Sequence, residues 1–138
     1  MHRLYIILIV VAHLLLCGLS VLMWAQVRRF LQGTYRIETE ADLLSYRSLV
    51  GSQMKMSGVA FVLLNVPWAI WLVGFVLGFL TWLDVLWVMI PFFGNIALIG
   101  KLGSPARQAK QLDASSSELK TQVDAIADVW TKKLLPDW

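Results

Sequence analysis

The chain has 138 residues, of which 58% are hydrophobic and only 15% are charged. Soluble domains carry about 25% charged residues, and small domains have little interior, so the apolar surplus must face lipid or other subunits. The net charge of +3 comes without a basic stripe interleaved with aromatic residues, which argues against nucleic acid as a partner. The composition predicts an integral, all-α membrane protein.

The first predicted span covers residues 4–24, which contain no Asp, Glu, Lys or Arg and are flanked by Arg3 and Arg28. A transmembrane helix needs about 20 mostly apolar residues. The run exceeds the core of about 7–15 residues in a signal peptide and has no clear cleavage site, so we expect it to be retained. Cys17, the single cysteine, is expected to be a small packing residue.

The polar loop at residues 28–55 contains a predicted surface helix. Its start at Thr39 offers a side-chain cap, and Glu40 and Asp42 place acids in the first turn. Apolar residues recur along the following ten positions, and Gly51 is predicted to end the helix. We expect this short helix to lie against the membrane or the tail.

The second and third predicted spans are residues 56–77 and 85–102, joined as a tight hairpin. The stretch between Lys55 and Lys101 is too long for one span and contains a single charged residue, Asp84. Gly78 relaxes the backbone at the turn, where Asp84 marks contact with water. A re-entrant unit in place of the hairpin would also leave the loop and the tail on the same side of the membrane, so the positions of the charges do not distinguish the two.

The distribution of Lys and Arg predicts the orientation. Five lie in the loop at residues 28–55, six lie from Lys101 onward, and only Arg3 precedes the first span. By the positive-inside rule the loop and the tail are cytoplasmic, and the N-terminus and the turn lie outside. We expect a multi-pass protein, most simply of a bacterial inner membrane, with a membrane domain at residues 1–103 and a tail at residues 104–138.

The tail is predicted to form an amphipathic helix that docks on another subunit. Ser104 can cap it and Pro105 suits its first position, whereas three serines at residues 115–117 leave two shorter helices as an alternative. Membrane-surface binding and a coiled coil are further alternatives. The docking face consists of apolar residues at helical spacing, namely Leu112, Leu119, Val123, Ile126, Trp130 and Leu134.

Three polar residues fall deep inside the predicted spans: His13, Asn65 and Asn95. Their depths allow them to meet, and polar groups in lipid usually have partners. We expect them to join the helices, each hydrogen bond contributing about 0.6–2 kcal/mol. On this interpretation no cofactor is expected.

His13 also has a sharper interpretation, as an axial ligand to haem or (bacterio)chlorophyll. A neutral imidazole in an apolar helix is a suitable donor to iron. The context Ala12 to Leu16, followed by Trp24, resembles the purple-bacterial antenna polypeptides, in which a membrane histidine binds bacteriochlorophyll. This chain departs from that family in two ways. Ile9 stands where the antenna polypeptides have a small residue, and each antenna polypeptide crosses the membrane only once.

The sequence contains no phosphate-binding loop, no cluster of His and Cys with metal spacing, and no candidate catalytic triad. We therefore expect no enzyme. The leading hypothesis is a non-catalytic accessory or structural subunit of a larger membrane complex, respiratory or photosynthetic, with lipids and other membrane subunits as partners. A small self-assembling channel and a pigment- or haem-binding subunit acting through His13 are the alternatives.

Overall fold

The computed structural model describes residues 1–133, 135–136 and 138. Three stretches, His2–Gly33, Glu40–Val76 and Trp82–Ala109, are long and apolar enough to cross a membrane. The chain is therefore a helical protein compatible with a multi-pass membrane location. Its elements in chain order are α1 (His2–Gly33), β1 (Arg36–Ile37), α2 (Glu40–Val76), a 3₁₀ turn (Trp82–Val85), α3 (Leu86–Leu102), α4 (Ser104–Ala109), β2 (Asp113–Ala114) and α5 (Ser117–Lys132).

Tertiary contacts divide the chain into two units. The first contains Met1–Val21 and Val59–Lys101, and the second contains Leu22–Gly58 and Leu102–Trp138. Helices α1 and α2 contribute residues to both, and α3 contributes its last residue, Leu102, to the second.

The first unit has a small core and a large apolar exterior. Ile9, Leu80 and Val88 are buried together, with aromatic side chains packed around them. In the most apolar part of each candidate span only 28%, 11% and 11% of the residues are buried. Large apolar side chains such as Phe61 and Ile90 are more than two-thirds exposed, as expected of helices solvated by lipid.

Helix α2 ends in a Schellman motif at Gly78. The Gly78 amide donates to the Phe75 carbonyl, and the Phe79 amide donates to the Gly74 carbonyl at 2.8 Å. Gly78 has a φ of 72°, a conformation that glycine adopts without steric cost. The motif ends α2 at this point.

Close packing surrounds Gly74 in the last turn of α2. A Cβ atom at this position would lie 2.8 Å from Leu80 Cδ1 and 2.8 Å from Tyr5 Cδ1. These distances are shorter than van der Waals contact, so only glycine fits between the two side chains.

Asp84 organises the segment that follows. Its Oδ2 accepts hydrogen bonds from the Thr81 amide at 2.7 Å and the Thr81 hydroxyl at 2.8 Å, and its Oδ1 lies 3.2 Å from His2 Nε2. The residue that the sequence marked only as hydrated therefore also ties the turn to the start of α1.

In the second unit, the surface helix predicted to start at Thr39 does start there, but the prediction that Gly51 ends it is wrong. The Asp42 amide donates to Thr39 Oγ1, and the Thr39 amide donates to Asp42 Oδ2, which is a reciprocal cap. The helix then continues through Gly51 to Val76. Tyr46 and Val50 are fully buried on one face of this segment. Burial of such side chains outweighs the roughly 1 kcal/mol that glycine costs within a helix.

A two-stranded parallel sheet, which was not predicted from the sequence, joins the loop to the tail. Arg36 pairs with Asp113 and Ile37 pairs with Ala114. The Arg36 guanidinium also donates to the Ala114 carbonyl at 2.9 Å. Strands of two residues are too short to show the alternation by which strands are recognised in a sequence.

The tail forms two helices, α4 and α5, with the second strand between them. Pro105 lies in the first turn of α4, and Ser116 caps α5 by accepting a hydrogen bond from the Leu119 amide. The segment between the two helices covers residues 110–116, and Ser117 is the first residue of α5. The core of the second unit contains Val27, Ile37, Leu43, Tyr46, Val50, Met54, Ala109, Leu112, Ala114, Val123 and Ile126.

Candidate functional site

The first unit contains a buried polar cluster formed by His13, Cys17 and Asn95. His13 and Cys17 lie four residues apart on α1 and so share one helix face. Asn95 projects from α3. His13 is 4% exposed and Asn95 is 3% exposed, so both polar groups depend on each other for hydrogen bonds.

Each hydrogen bond in the cluster has a defined donor: the thiol donates to the amide, and the amide donates to the imidazole. The Cys17 thiol donates to Asn95 Oδ1 at 2.8 Å, which leaves the Asn95 amide nitrogen facing His13. Asn95 Nδ2 lies 3.0 Å from His13 Nδ1 and is the donor of the pair, because the amide oxygen is directed at the thiol. A neutral imidazole that accepts at Nδ1 carries its proton on Nε2.

The second imidazole nitrogen bears on the cofactor hypothesis. His13 Nε2 is buried and makes no hydrogen bond with the residues that the structure describes, although the backbone of Val88 interacts with the ring. An axial ligand needs a free lone pair and an open face for a flat macrocycle. With the proton on Nε2, this nitrogen offers no lone pair, so ligation would require the other tautomer of the ring. Haem or chlorophyll ligation by His13 stays a hypothesis for spectroscopy to decide.

Asn65 is placed differently from the sequence prediction. Its side chain is exposed, and its Nδ2 donates to the Phe61 carbonyl of its own helix at 2.8 Å. A side chain that bonds the carbonyl four residues earlier needs no partner on another helix. Of the three polar residues predicted to join the spans, the structure therefore brings together His13 and Asn95 but not Asn65.

Cys17 is the member that the sequence analysis assigned only to packing. A thiol is a weak donor, so its participation could not be inferred from residue type alone. Its spacing of four residues from His13 was the available signal, since that spacing places two side chains on one helix face.

The predicted docking face of the tail is largely covered by the chain itself. Val123 and Ile126 are buried in the core of the second unit, as is Leu112, which lies before α5 rather than on it. Leu119 and Trp130 pack against that core and are partly buried. Leu134 lies outside the described residues. Partner docking through this face stays a prediction, and the apolar area left for it is smaller than the sequence indicated.

Within the described residues no group of three His, Cys, Asp or Glu side chains could hold a metal ion. The polar cluster joins α1 and α3 through its two hydrogen bonds. Comparisons with models of known protein families, with curated proteins and with solved structures find no match to this chain.

Proposed function

We propose that the chain is a non-catalytic membrane subunit that assembles with other proteins in a larger complex. The observation that carries the proposal is the exterior of the first unit. In two of the three candidate spans, only 11% of the residues in the most apolar part are buried. Such helices require lipid or other transmembrane subunits around them. Respiratory or photosynthetic assemblies are the proposed hosts.

The chemistry of the polar cluster supports a non-catalytic role. A catalytic acid, base or nucleophile must reach the substrate. Here the Asn95 amide bonds both the thiol and the imidazole, and both His13 and Asn95 are buried. Buried hydrogen bonds of this kind between two helices hold them in register.

A self-assembling channel is the competing proposal, and the placement of polar groups supports it less. A water-filled pore is usually lined by polar side chains along one helix face. Asn65 is the exposed amide of its span, whereas Phe61 and Phe93 expose large aromatic surface. The proposed orientation has the N-terminus outside and the second unit in the cytoplasm, because the second unit holds most of the Lys and Arg residues.

The test is to solubilise native membranes in a mild detergent and purify the tagged full-length chain with its partners. We expect a native mass that includes other polypeptides. A mass equal to integer multiples of 15.6 kDa, with no second polypeptide, would contradict the proposal and support self-assembly.

An absorption spectrum of the same sample tests the cofactor alternative. We expect no haem or chlorophyll band beyond what the partner subunits carry, and no change in His13→Leu. A band that is lost in His13→Leu, while the partners are retained, would instead establish His13 as a ligand.

A further inference from the structure

An open groove runs along the outward face of α2 in the second unit. On this helix it is lined by Arg47, Ser48, Gly51, Ser52 and Lys55, and the apolar residues Leu44, Leu135 and Pro136 complete its lining together with Trp138. The spacing of one, three or four residues along α2 places the first five on a single face over two helical turns. The two basic residues stand at the ends of this row, and the residues between them are small.

Trp138 forms the opposite wall. Its indole Nε1 is 3.9 Å from the position that a Cβ atom on Gly51 would take, and its ring lies 5.0 Å from the Arg47 guanidinium carbon. The cation–π contact holds the guanidinium over the indole ring. The volume of about 780 Å³ is in the range of small-molecule sites.

The polar groups of the groove are complementary to an anion. Arg47 and Lys55 are cationic, the Ser48 and Ser52 hydroxyls can donate, and the indole N–H of Trp138 can only donate. No carboxylate side chain is among the described lining residues, and neither basic side chain forms an ion pair in the described part of the chain. Guanidinium, ammonium and hydroxyl donors arranged together are typical of phosphate recognition.

The position of the groove along α2 identifies the source of the phosphate. Lys55 directly precedes the apolar stretch at residues 56–76, so in the proposed membrane location it lies at the headgroup level. Tryptophan also prefers this interface. We infer that the groove formed by residues 44–55 and Trp138 binds the phosphate of an anionic phospholipid headgroup. This inference rests on the proposed membrane location and is independent of any partner subunit.

The experiment uses the purified full-length chain and native mass spectrometry after incubation with phosphatidylcholine alone or with added phosphatidylglycerol. We expect phosphatidylglycerol to be retained preferentially. The double variant Arg47→Gln/Lys55→Gln should weaken retention by on the order of tenfold, because each basic side chain contributes to binding of an anionic headgroup. Circular dichroism checks that helicity is unchanged.

The matched control is Arg29→Gln/Arg107→Gln, which removes the same charge from two exposed sites of the second unit outside the groove. It should retain phosphatidylglycerol like the natural chain. Equal loss in both double variants would show diffuse electrostatic attraction and overturn the site.

Two further experiments test the position of the site and the source of the phosphate. Gly51→Leu fills the floor of the groove without changing charge and should reduce retention, whereas Gly51→Ala places its Cβ at ordinary contact distance and should not. Retention unaffected by Gly51→Leu would overturn the assigned position. Displacement of the lipid by glycerol phosphate at equal concentration would show that the site takes a soluble phosphate, and the lipid assignment would then be wrong.

Discussion

Replacing Asn95 by leucine is the most direct test of the polar cluster. The substitution is close in volume, but it removes the acceptor for the Cys17 thiol and the donor to His13. Hydrogen bonds between membrane helices contribute about 0.6 kcal/mol on average and up to about 1.7 kcal/mol. Two lost bonds should therefore lower the free energy of unfolding by about 1–3 kcal/mol.

The His13→Leu variant and the double variant complete a double-mutant cycle. We expect a coupling energy between positions 13 and 95 of about 0.6–1.7 kcal/mol, the contribution of their single shared bond. The assay is reversible unfolding in mixed micelles of increasing dodecyl sulfate content, followed by far-ultraviolet circular dichroism.

Asn65→Leu is the matched control, because it makes the same chemical change at an exposed residue that bonds only its own helix. It should change stability by no more than about 0.5 kcal/mol. Additive effects of Asn95→Leu and His13→Leu, or equal destabilisation by Asn95→Leu and Asn65→Leu, would refute the assignment of the cluster as a helix contact.

Three other predictions concern the rest of the chain. The hydroxyl of buried Tyr46 has no hydrogen-bond partner among the described residues, so Tyr46→Phe should raise the free energy of unfolding by up to about 1 kcal/mol; a loss of stability in denaturant titration would reveal a missing partner. Gly74→Ala should destabilise the chain by about 1–3 kcal/mol in the same assay, because the added Cβ atom overpacks this position. The control Gly58→Ala should be neutral or stabilising by up to about 1 kcal/mol, because a Cβ atom there meets nothing within 4 Å. A cysteine at the exposed position Trp82 should react with an impermeant maleimide from outside the cell, and one at the exposed position Gln108 only after the membrane is opened; Gln108 labelled from outside would invert the proposed orientation.

The three apolar helices could be predicted from the sequence because length and the absence of charge are local properties. Turn chemistry was equally local, as Gly78 and Ser116 show. The continuation of α2 through Gly51 could not be predicted, since it depends on side chains that become buried only when distant segments pack against the helix. Local propensity was outweighed there by tertiary burial.

The candidate site was predictable in part. The depths of His13 and Asn95 placed them within reach of each other, but depth says nothing about which way a side chain points around the helix axis. Asn65 therefore looked equivalent to Asn95 in the sequence, and only the contacts distinguish the two. The groove beside Arg47 depended on Trp138, which is distant in sequence, so no local pattern indicated it.

The pairing of β1 with β2 has a consequence for the order of events during synthesis. Ile37 leaves the ribosome long before Ala114, its strand partner, and the core of the second unit contains residues from both ends of this interval. The N-terminal part of this core therefore leaves Tyr46 and Val50 exposed until the last quarter of the chain has emerged from the ribosome. Because exposed apolar surface and unpaired strands are recognised by chaperones and proteases, translation that stops before Ser104 should yield a chain that inserts but is rapidly degraded.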